Sequence, residues 1–283
     1  YKTNMKIGIY FFKIKLFLVR LLCYEKPLRV VFTKYLSLLF KTFRPHYESV
    51  LYEGCLEAKK LGFNEVCVLE LGVAQGNGIM ALEKYKKRIQ KVLNIKIDIY
   101  GFDMGTGMPE ISIPEDLPFY WKQGQYRTDK ELLEKNTNSK IFFGNVKNTV
   151  DEFIKINPKT ICCIFFDLDL YSSTLNFLNQ IPKLEKYMLP RVLCYFDDLY
   201  TVYNYNGQCN GELKAIDDFN KKNLDYKLSY SIDHIHSYKF PLAKSTILTI
   251  HSFKHKLYNK YIGREDDKNI GFKSKKYDFK FLE

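Results

Sequence analysis

Four aspartates, arranged as two pairs, follow two apolar runs in the second half of the chain. Asp167 and Asp169 come directly after TICCIFF, and Asp197 and Asp198 come directly after VLCYF. In an extended chain, residues i and i+2 point the same way about 6–7 Å apart, and a neighbouring strand lies about 4.8 Å away. If the two runs are neighbouring strands, the four carboxylates converge at one end of a sheet.

Carboxylates brought together in this way repel one another unless something neutralises them. Either they share protons through raised pKa values, or they coordinate a hard divalent cation through their oxygen atoms. Each pair taken alone is also typical of a helix cap. Because both pairs occur together, the sequence favours a divalent-cation site.

A glycine-containing loop follows an earlier apolar run, VCVLEL. The segment Gly76–Ala81 matches G-x-G-x-x-A, the dinucleotide-binding fingerprint, but its first glycine comes five residues after the run ends. That fingerprint opens directly after a strand. Starting earlier, Glu70, Gly72, Ala74 and Gly76 resemble the acidic-x-G-x-G-x-G pattern of class I S-adenosylmethionine-dependent methyltransferases, with alanine at the middle position.

The resemblance implies a binding site for S-adenosylmethionine. Small residues in the loop let the backbone approach the methionine part of this cofactor, and the Glu70 carboxylate receives its ammonium group. Asp103, at the end of the next strand, is placed to accept hydrogen bonds from both ribose hydroxyls. Asn145, which follows the third strand, is assigned to the same site.

Later motifs narrow the resemblance to one family. The segments Asp167–Thr174 (DLDLYSST) and Tyr195–Asp198 (YFDD) are similar to the D-x-D-x-Y-x-S-T and D-D-Y signatures of the macrocin O-methyltransferase-like family. Members of that family methylate sugar hydroxyls. Gly101–Pro109 looks like the family's D-x-F-x-G-L-P element, whereas Leu199 stands where the family usually has an aromatic residue.

The family resemblance assigns a role to each aspartate. It implies that Asp167, Asp197 and Asp198 bind Mg²⁺ or a similar divalent cation, and that Asp169 is the general base that deprotonates the acceptor hydroxyl. The implied activity is S-adenosylmethionine-dependent O-methylation of a sugar, a glycan or a related small molecule. Two alternatives remain open: an NAD(P)-dependent oxidoreductase, and a non-catalytic protein of the same fold that binds a polyanion or a membrane through its basic ends.

From residue 47 onwards, short apolar runs alternate with segments whose apolar residues recur at helical spacing. Strands that are hydrophobic throughout and separated by helices predict a parallel sheet covered on both faces. We expect an α/β fold with a Rossmann-like, doubly wound, mostly parallel sheet, which is also the class I methyltransferase fold. The predicted strands are 66–71, 95–102, 141–143, 160–166 and 192–196, and the predicted helices are 47–61, 78–93, 128–135, 148–156 and 175–187. This domain spans 47–255, between a basic, helical N-terminal extension (1–46) and a basic C-terminal extension (256–283).

The charge distribution argues against a nucleic-acid partner. The 283 residues carry a net charge of +12, but residues 1–45 hold ten basic side chains against one acidic one, and residues 221–283 hold fourteen against seven. The remaining centre is mildly acidic, whereas a polyanion binder places its lysines and arginines around the working cleft. The expected partner is therefore a small-molecule or glycan acceptor.

The seven cysteines contain no CxxC pair, and four lie in apolar runs, which indicates reduced thiols in a cytoplasmic protein. Lysines interrupt the apolar segment 5–22, so it predicts neither a membrane span nor a signal peptide. This segment is compatible with an amphipathic helix on a membrane surface, and also with packing on the domain or in a homo-oligomer.

Overall fold

The computed structural model describes residues 44–199, 207–230 and 246–263. The strands are β1 (Glu65–Leu71), β2 (Lys96–Asp103), β3 (Lys140–Phe143), β4 (Thr160–Phe166), β5 (Met188–Phe196), β6 (Tyr226–Tyr230) and β7 (Ile247–Ser252). Within the described residues they form one seven-stranded sheet in the order β3-β2-β1-β4-β5-β7-β6. The first five strands are parallel, and β7 is antiparallel to both β5 and β6. The predicted doubly wound, mostly parallel sheet is confirmed.

Helices cover both faces of this sheet. They are α1 (Pro45–Leu61), α2 (Asn77–Leu93), α3 (Lys130–Asn136), α4 (Val146–Lys155), α5 (Tyr171–Leu178), α6 (Ile181–Leu184) and α7 (Gly211–Lys222). Helix α1 packs against α2, β4 and β5, and α5 packs against α4 and α7. Because helices cover both faces of the sheet, both sides of the central strands are buried, and their sequences are continuous apolar runs.

The centre of the sheet is the core of the fold. In both β1 and β4, every residue after the first is buried. Five cysteines are buried in this region (Cys55, Cys67, Cys162, Cys163 and Cys194). The apolar runs therefore lie where the sequence predicts them.

The predicted helix 175–187 is wrong in its extent. The chain forms α5, then the four-residue α6, then a 3₁₀ turn at Glu185–Tyr187. Pro182, which lacks a backbone N–H, falls in the first turn of α6, where that missing donor is tolerated. The proline therefore starts a new helix and interrupts the predicted one.

Both predicted extensions lie largely outside the described residues, which leave out 1–43 and 264–283. Helix α1 begins at Pro45, two residues before the predicted start. At the other end, the Lys260 ammonium donates to the backbone oxygen of Leu61 at 2.7 Å, so residues as far as 260 pack on the domain. None of the described helices is long and apolar enough to cross a membrane.

Candidate active site

A cavity of about 540 Å³ opens at the carboxyl ends of β1, β2, β4 and β5. Parallel strands place their carboxyl ends at the same edge of the sheet, where ligands bind in folds of this kind. Eight of the ten predicted site residues line the cavity: Glu70, Gly72, Ala74, Asp103, Asp167, Asp169, Asp197 and Asp198. Of the other two, Gly76 is the N-cap of α2, and Asn145 lines an adjoining cavity.

The loop between β1 and α2 depends on left-handed backbone at alternate residues. Gly72, Ala74 and Gly76 have φ values of 84°, 46° and 86°, which glycine adopts without steric cost. A Cβ atom on Gly72 would lie 1.8 Å from the backbone oxygen of Asp167. The sequence-based reason for a glycine here, the approach of a cofactor, is thus incomplete, because contact between the ends of β1 and β4 already requires it.

Asp103 ties this loop to the segment that follows β2. One carboxylate oxygen accepts hydrogen bonds from the amides of Val73 (3.0 Å) and Ala74 (2.8 Å). The other accepts from the Gly105 amide (2.6 Å) and the Thr128 hydroxyl (2.7 Å). A carboxylate offers about four lone-pair sites, so the protein itself already uses those of Asp103. Its contact with ribose hydroxyls stays a prediction, which requires these acceptor sites to be shared.

The second cavity, of about 260 Å³, adjoins the first at Asp103. Phe102, Leu168 and Asn145 are among its lining residues. The Asn145 side-chain oxygen also caps α4, because it accepts a hydrogen bond from the Lys147 amide at 3.0 Å. The two cavities together extend along the sheet edge from the glycine loop to the start of α4.

Three of the four aspartates come together at this edge. Asp167, Asp169 and Asp198 each offer a carboxylate oxygen within 4.8 Å of the others. The adjacent strands β4 and β5 produce this convergence, as expected. Asp197 is not one of these three: its Oδ1 accepts a hydrogen bond from the Tyr195 hydroxyl at 2.6 Å, although its charge still acts on Asp167. The implied ligand set of Asp167, Asp197 and Asp198 therefore differs from the trio in one member, and the individual roles stay predictions.

Burial and like charges perturb the titration of two members of this trio, Asp167 and Asp169. Burial, followed by the charges of Asp197 and Asp198, raises the pKa of Asp167 to about 7. Burial, followed by the charges of Asp198 and Asp167, raises the pKa of Asp169 to about 9. Asp169 also has a left-handed φ of 59°, a conformation that costs about 1–2 kcal/mol for a residue other than glycine. The cluster therefore requires protons or positive charge to offset its repulsion.

Glu212 is a buried acid behind the trio that the sequence analysis missed. It lies in the first turn of α7, and its Oε2 accepts a hydrogen bond from the Asp198 amide at 3.1 Å. Burial, followed by the charges of Asp198 and Asp169, raises its pKa well above the usual range. Glu212 thus supports the backbone of a candidate metal ligand. Its sequence context, an acid in the first turn of a helix, is ordinary and gives no signal of this role.

Arg44 and Tyr47, at the start of α1, were also missed. Arg44 Nη1 donates a hydrogen bond to the Tyr47 hydroxyl at 3.0 Å, and that hydroxyl donates to Glu70 Oε1 at 3.1 Å. Arg44 lines the cavity, and its Nη1 lies 3.7 Å from Asp167 Oδ2. The segment predicted as an N-terminal extension therefore contributes a charged group to the site.

The segment between β2 and α3 supplies an aromatic wall to the cavity, formed by Tyr120, Trp121 and Tyr126. The Trp121 ring packs edge-on against the rings of Tyr120 and Tyr126, with centroids 4.6 and 6.0 Å away. Trp121 is buried, whereas Tyr126 is 57% exposed. The wall is thus anchored at its centre and open to solvent at its edge.

The chain is similar to solved methyltransferase structures. The calicheamicin methyltransferase CalS11 is 22% identical, with a TM-score of 0.51 over 78% of this chain and 86% of CalS11. The apo structure of CalS11, described as a TDP-rhamnose 3'-O-methyltransferase, is 22% identical, with a TM-score of 0.44 over 77% of this chain and 84% of that one. The methyltransferase PaMTH1 of Podospora anserina, bound to S-adenosylhomocysteine, is 14% identical, with a TM-score of 0.41 over 75% and 79% of the two chains.

At this level of identity, the likeness to CalS11 establishes the fold alone. Together with the strand order, it assigns the chain the class I methyltransferase fold. No protein-family model and no curated protein matches the amino-acid sequence.

Proposed function

We propose that this protein is an S-adenosylmethionine-dependent O-methyltransferase that uses a divalent cation and acts on a hydroxyl of a sugar, a glycan or a related small molecule. One observation carries the proposal: three carboxylates within 4.8 Å of one another line the same cavity as the glycine loop. A methyl donor and a cation bound there would be neighbours, as cation-assisted transfer to a hydroxyl requires.

The two cavities suit the size and chemistry of the methyl donor. The glycine loop and Glu70 border the larger cavity, where a cationic amino-acid end would find a carboxylate. Asn145 and Phe102 line the smaller cavity, where a planar base would find apolar and hydrogen-bonding groups. Asp103 lies at the junction between the two. This order matches the linear order of amino acid, ribose and base in the donor.

The trio of carboxylates suits a hard divalent cation. Carboxylate oxygens are the ligands that Mg²⁺, Ca²⁺ and Mn²⁺ prefer, and positive charge would offset the burial and the repulsion that raise the pKa of Asp167 and Asp169. Asp167 and Asp198 belong both to the trio and to the ligand set implied by the family resemblance, and we propose both as ligands. When bound, the cation supplies positive charge that lowers the pKa of a nearby hydroxyl.

The chain's own residues then orient the acceptor and receive its proton. We assign the proton acceptor to Asp169, following the family resemblance; positioned base catalysis typically contributes about 10²–10⁴ in rate. The aromatic wall of Tyr120, Trp121 and Tyr126 lies across the same cavity and offers ring faces to an acceptor. CalS11 is described as acting on TDP-rhamnose, which supports a sugar as the class of acceptor.

The oxidoreductase alternative is less well supported. Strand β1 ends at Leu71 and α2 begins at Asn77, so the first glycine of the dinucleotide match, Gly76, is a helix N-cap. In the fingerprint that glycine directly follows the strand. This alternative also leaves the carboxylate trio without a role.

Transfer of a labelled methyl group tests the proposal. The protein is incubated with methyl-labelled S-adenosylmethionine and small-molecule extracts of its host, with and without EDTA. We expect a label in a hydroxylated small molecule, reduced by EDTA and by Asp198→Asn. Transfer that survives excess EDTA would contradict the cation's role, and the absence of any labelled acceptor would contradict the activity.

A further inference from the structure

We infer that Arg44 and Glu70, which the Tyr47 hydroxyl holds at a fixed spacing, bind the carboxylate and the ammonium of the amino-acid end of the methyl donor. The inference rests on the proposed function and adds Arg44, with Tyr47 as its positioning residue, to the donor site.

The three side chains hold a guanidinium and a carboxyl group at a fixed spacing. The Tyr47 hydroxyl lies between the Arg44 guanidinium at 3.0 Å and the Glu70 carboxylate at 3.1 Å. An α-amino acid carries an ammonium and a carboxylate on the same carbon atom. A carboxylate and a guanidinium two hydrogen bonds apart are the complementary pair, and the guanidinium fork is well suited to a carboxylate.

Both charged groups face the space that the donor would occupy. Arg44 and Glu70 line the larger cavity together with Asn77 and Gly78, the first residues of α2. The N-cap of this helix is Gly76, which has no side chain to accept hydrogen bonds from the first backbone amides of the helix. These amides therefore add a preference for an anion. Glu70 Oε2 is buried and has no hydrogen-bond partner among the described residues, which leaves an acceptor for an ammonium group.

Packing holds the arrangement in place. The Tyr47 ring stacks on Phe165 with centroids 4.5 Å apart, and the Arg44 guanidinium lies 5.0 Å from the centre of the Tyr47 ring. A Cβ atom on Gly78 would lie 1.7 Å from Glu70 Oε1, so this carboxylate is packed against the first turn of α2. Groups fixed before binding lose little entropy when the ligand arrives.

A structural role for Arg44 makes a different prediction. Arg44 lies 3.7 Å from Asp167, and it would serve only to offset that charge if the donor did not contact it. Two ligands separate the alternatives. S-adenosylhomocysteine carries the amino-acid end, whereas 5′-methylthioadenosine has the same nucleoside and lacks that end.

The experiment is calorimetric titration of the full-length protein with each ligand in EDTA, so that a cation does not alter Asp167. The variants are Arg44→Gln and Tyr47→Phe, which keeps the ring and removes the hydroxyl. Lys91→Gln, at the exposed far end of α2, is the control for loss of one positive charge. We expect the wild type to prefer S-adenosylhomocysteine. Both test variants should bind it roughly 10-fold or more weakly, the scale of a lost charged hydrogen bond, with binding of 5′-methylthioadenosine unchanged.

The results that would contradict this inference differ from the result that would contradict the proposed function. Equal weakening of both ligands, or of neither, would overturn the inference, as would a wild-type protein with equal affinity for the two. A wild-type protein that binds neither ligand would instead contradict the proposed function. Binding of 5′-methylthioadenosine also reports that each variant is folded.

Discussion

A Cβ atom on Gly72 would lie 1.8 Å from the backbone oxygen of Asp167. This contact joins the glycine loop after β1 to the first candidate metal ligand after β4. The proposed donor site and the proposed cation site are therefore built on one packed contact, and a change at Gly72 should affect both.

Gly72→Ala should be more destabilising than an alanine at another left-handed glycine. Gly124 has a φ of 81°, close to the 84° of Gly72, but a Cβ there would meet nothing within 4 Å. Gly124→Ala therefore bears only the backbone cost of about 1–2 kcal/mol, whereas Gly72→Ala adds an overpacking cost of about 1–3 kcal/mol. Urea denaturation measures both free energies of unfolding. Equal losses in the two variants would show that the Gly72–Asp167 contact is relieved without cost.

The carboxylate trio predicts which aspartate contributes more to cation binding. Asp169 has an oxygen within 4.8 Å of Asp167 and Asp198, whereas Asp197 accepts a hydrogen bond from Tyr195. We therefore expect Asp169→Asn to weaken Mn²⁺ binding more than Asp197→Asn does. Electron paramagnetic resonance of Mn²⁺ measures the affinity, with Asp198→Asn as the reference for a lost ligand. The opposite ranking would favour the ligand set implied by the family resemblance, with Asp169 as the base alone.

Removal of the cation should make stability depend on pH. Asp167 and Asp169 have folded-state pKa values of about 7 and about 9, against an ordinary value of 3.8. Below 3.8 both states are protonated and the contribution of these groups to stability is fully present. As pH rises, the unfolded chain loses these protons first, so stability falls until the folded pKa values are passed.

In EDTA we therefore expect the free energy of unfolding to decrease from about pH 4 to about pH 9, and added Mg²⁺ to oppose the decrease. Asp169→Asn removes the group with the higher pKa and should flatten the upper part of the profile. Urea denaturation across this range measures the effect. A slope as steep in Asp169→Asn as in the wild type would mean that another group causes it.

The parallel part of the sheet was predictable because its strands are buried on both faces and have an unbroken apolar pattern. The predicted strand 160–166 matches β4, and the strand 66–71 differs from β1 by one residue. The antiparallel pair β6 and β7 was not predicted. Only one of the five residues of β6 is buried, and half-buried residues interrupt β7, so neither strand has the continuous apolar pattern of the parallel strands.

The carboxyl ends of parallel strands meet at one edge of the sheet, so site residues that directly follow a strand could be predicted. Asp167 and Asp198 both come directly after apolar runs and are therefore expected to lie together. Arg44 and Glu212 reach the site from helices on either side of the sheet, and only tertiary packing brings them there. The saturated hydrogen bonding of Asp103 was equally hidden, because its partner Thr128 is 25 residues away in the chain.

The central claim is that the glycine loop, with Glu70 and Asp103 at the ends of β1 and β2, forms a methyl-donor site. Calorimetric titration of the wild-type protein with S-adenosylhomocysteine and, in parallel, with NAD⁺ tests it most directly. We predict saturable, one-to-one binding of S-adenosylhomocysteine and no binding of NAD⁺. Binding of NAD⁺ without S-adenosylhomocysteine, or of neither, would contradict the claim.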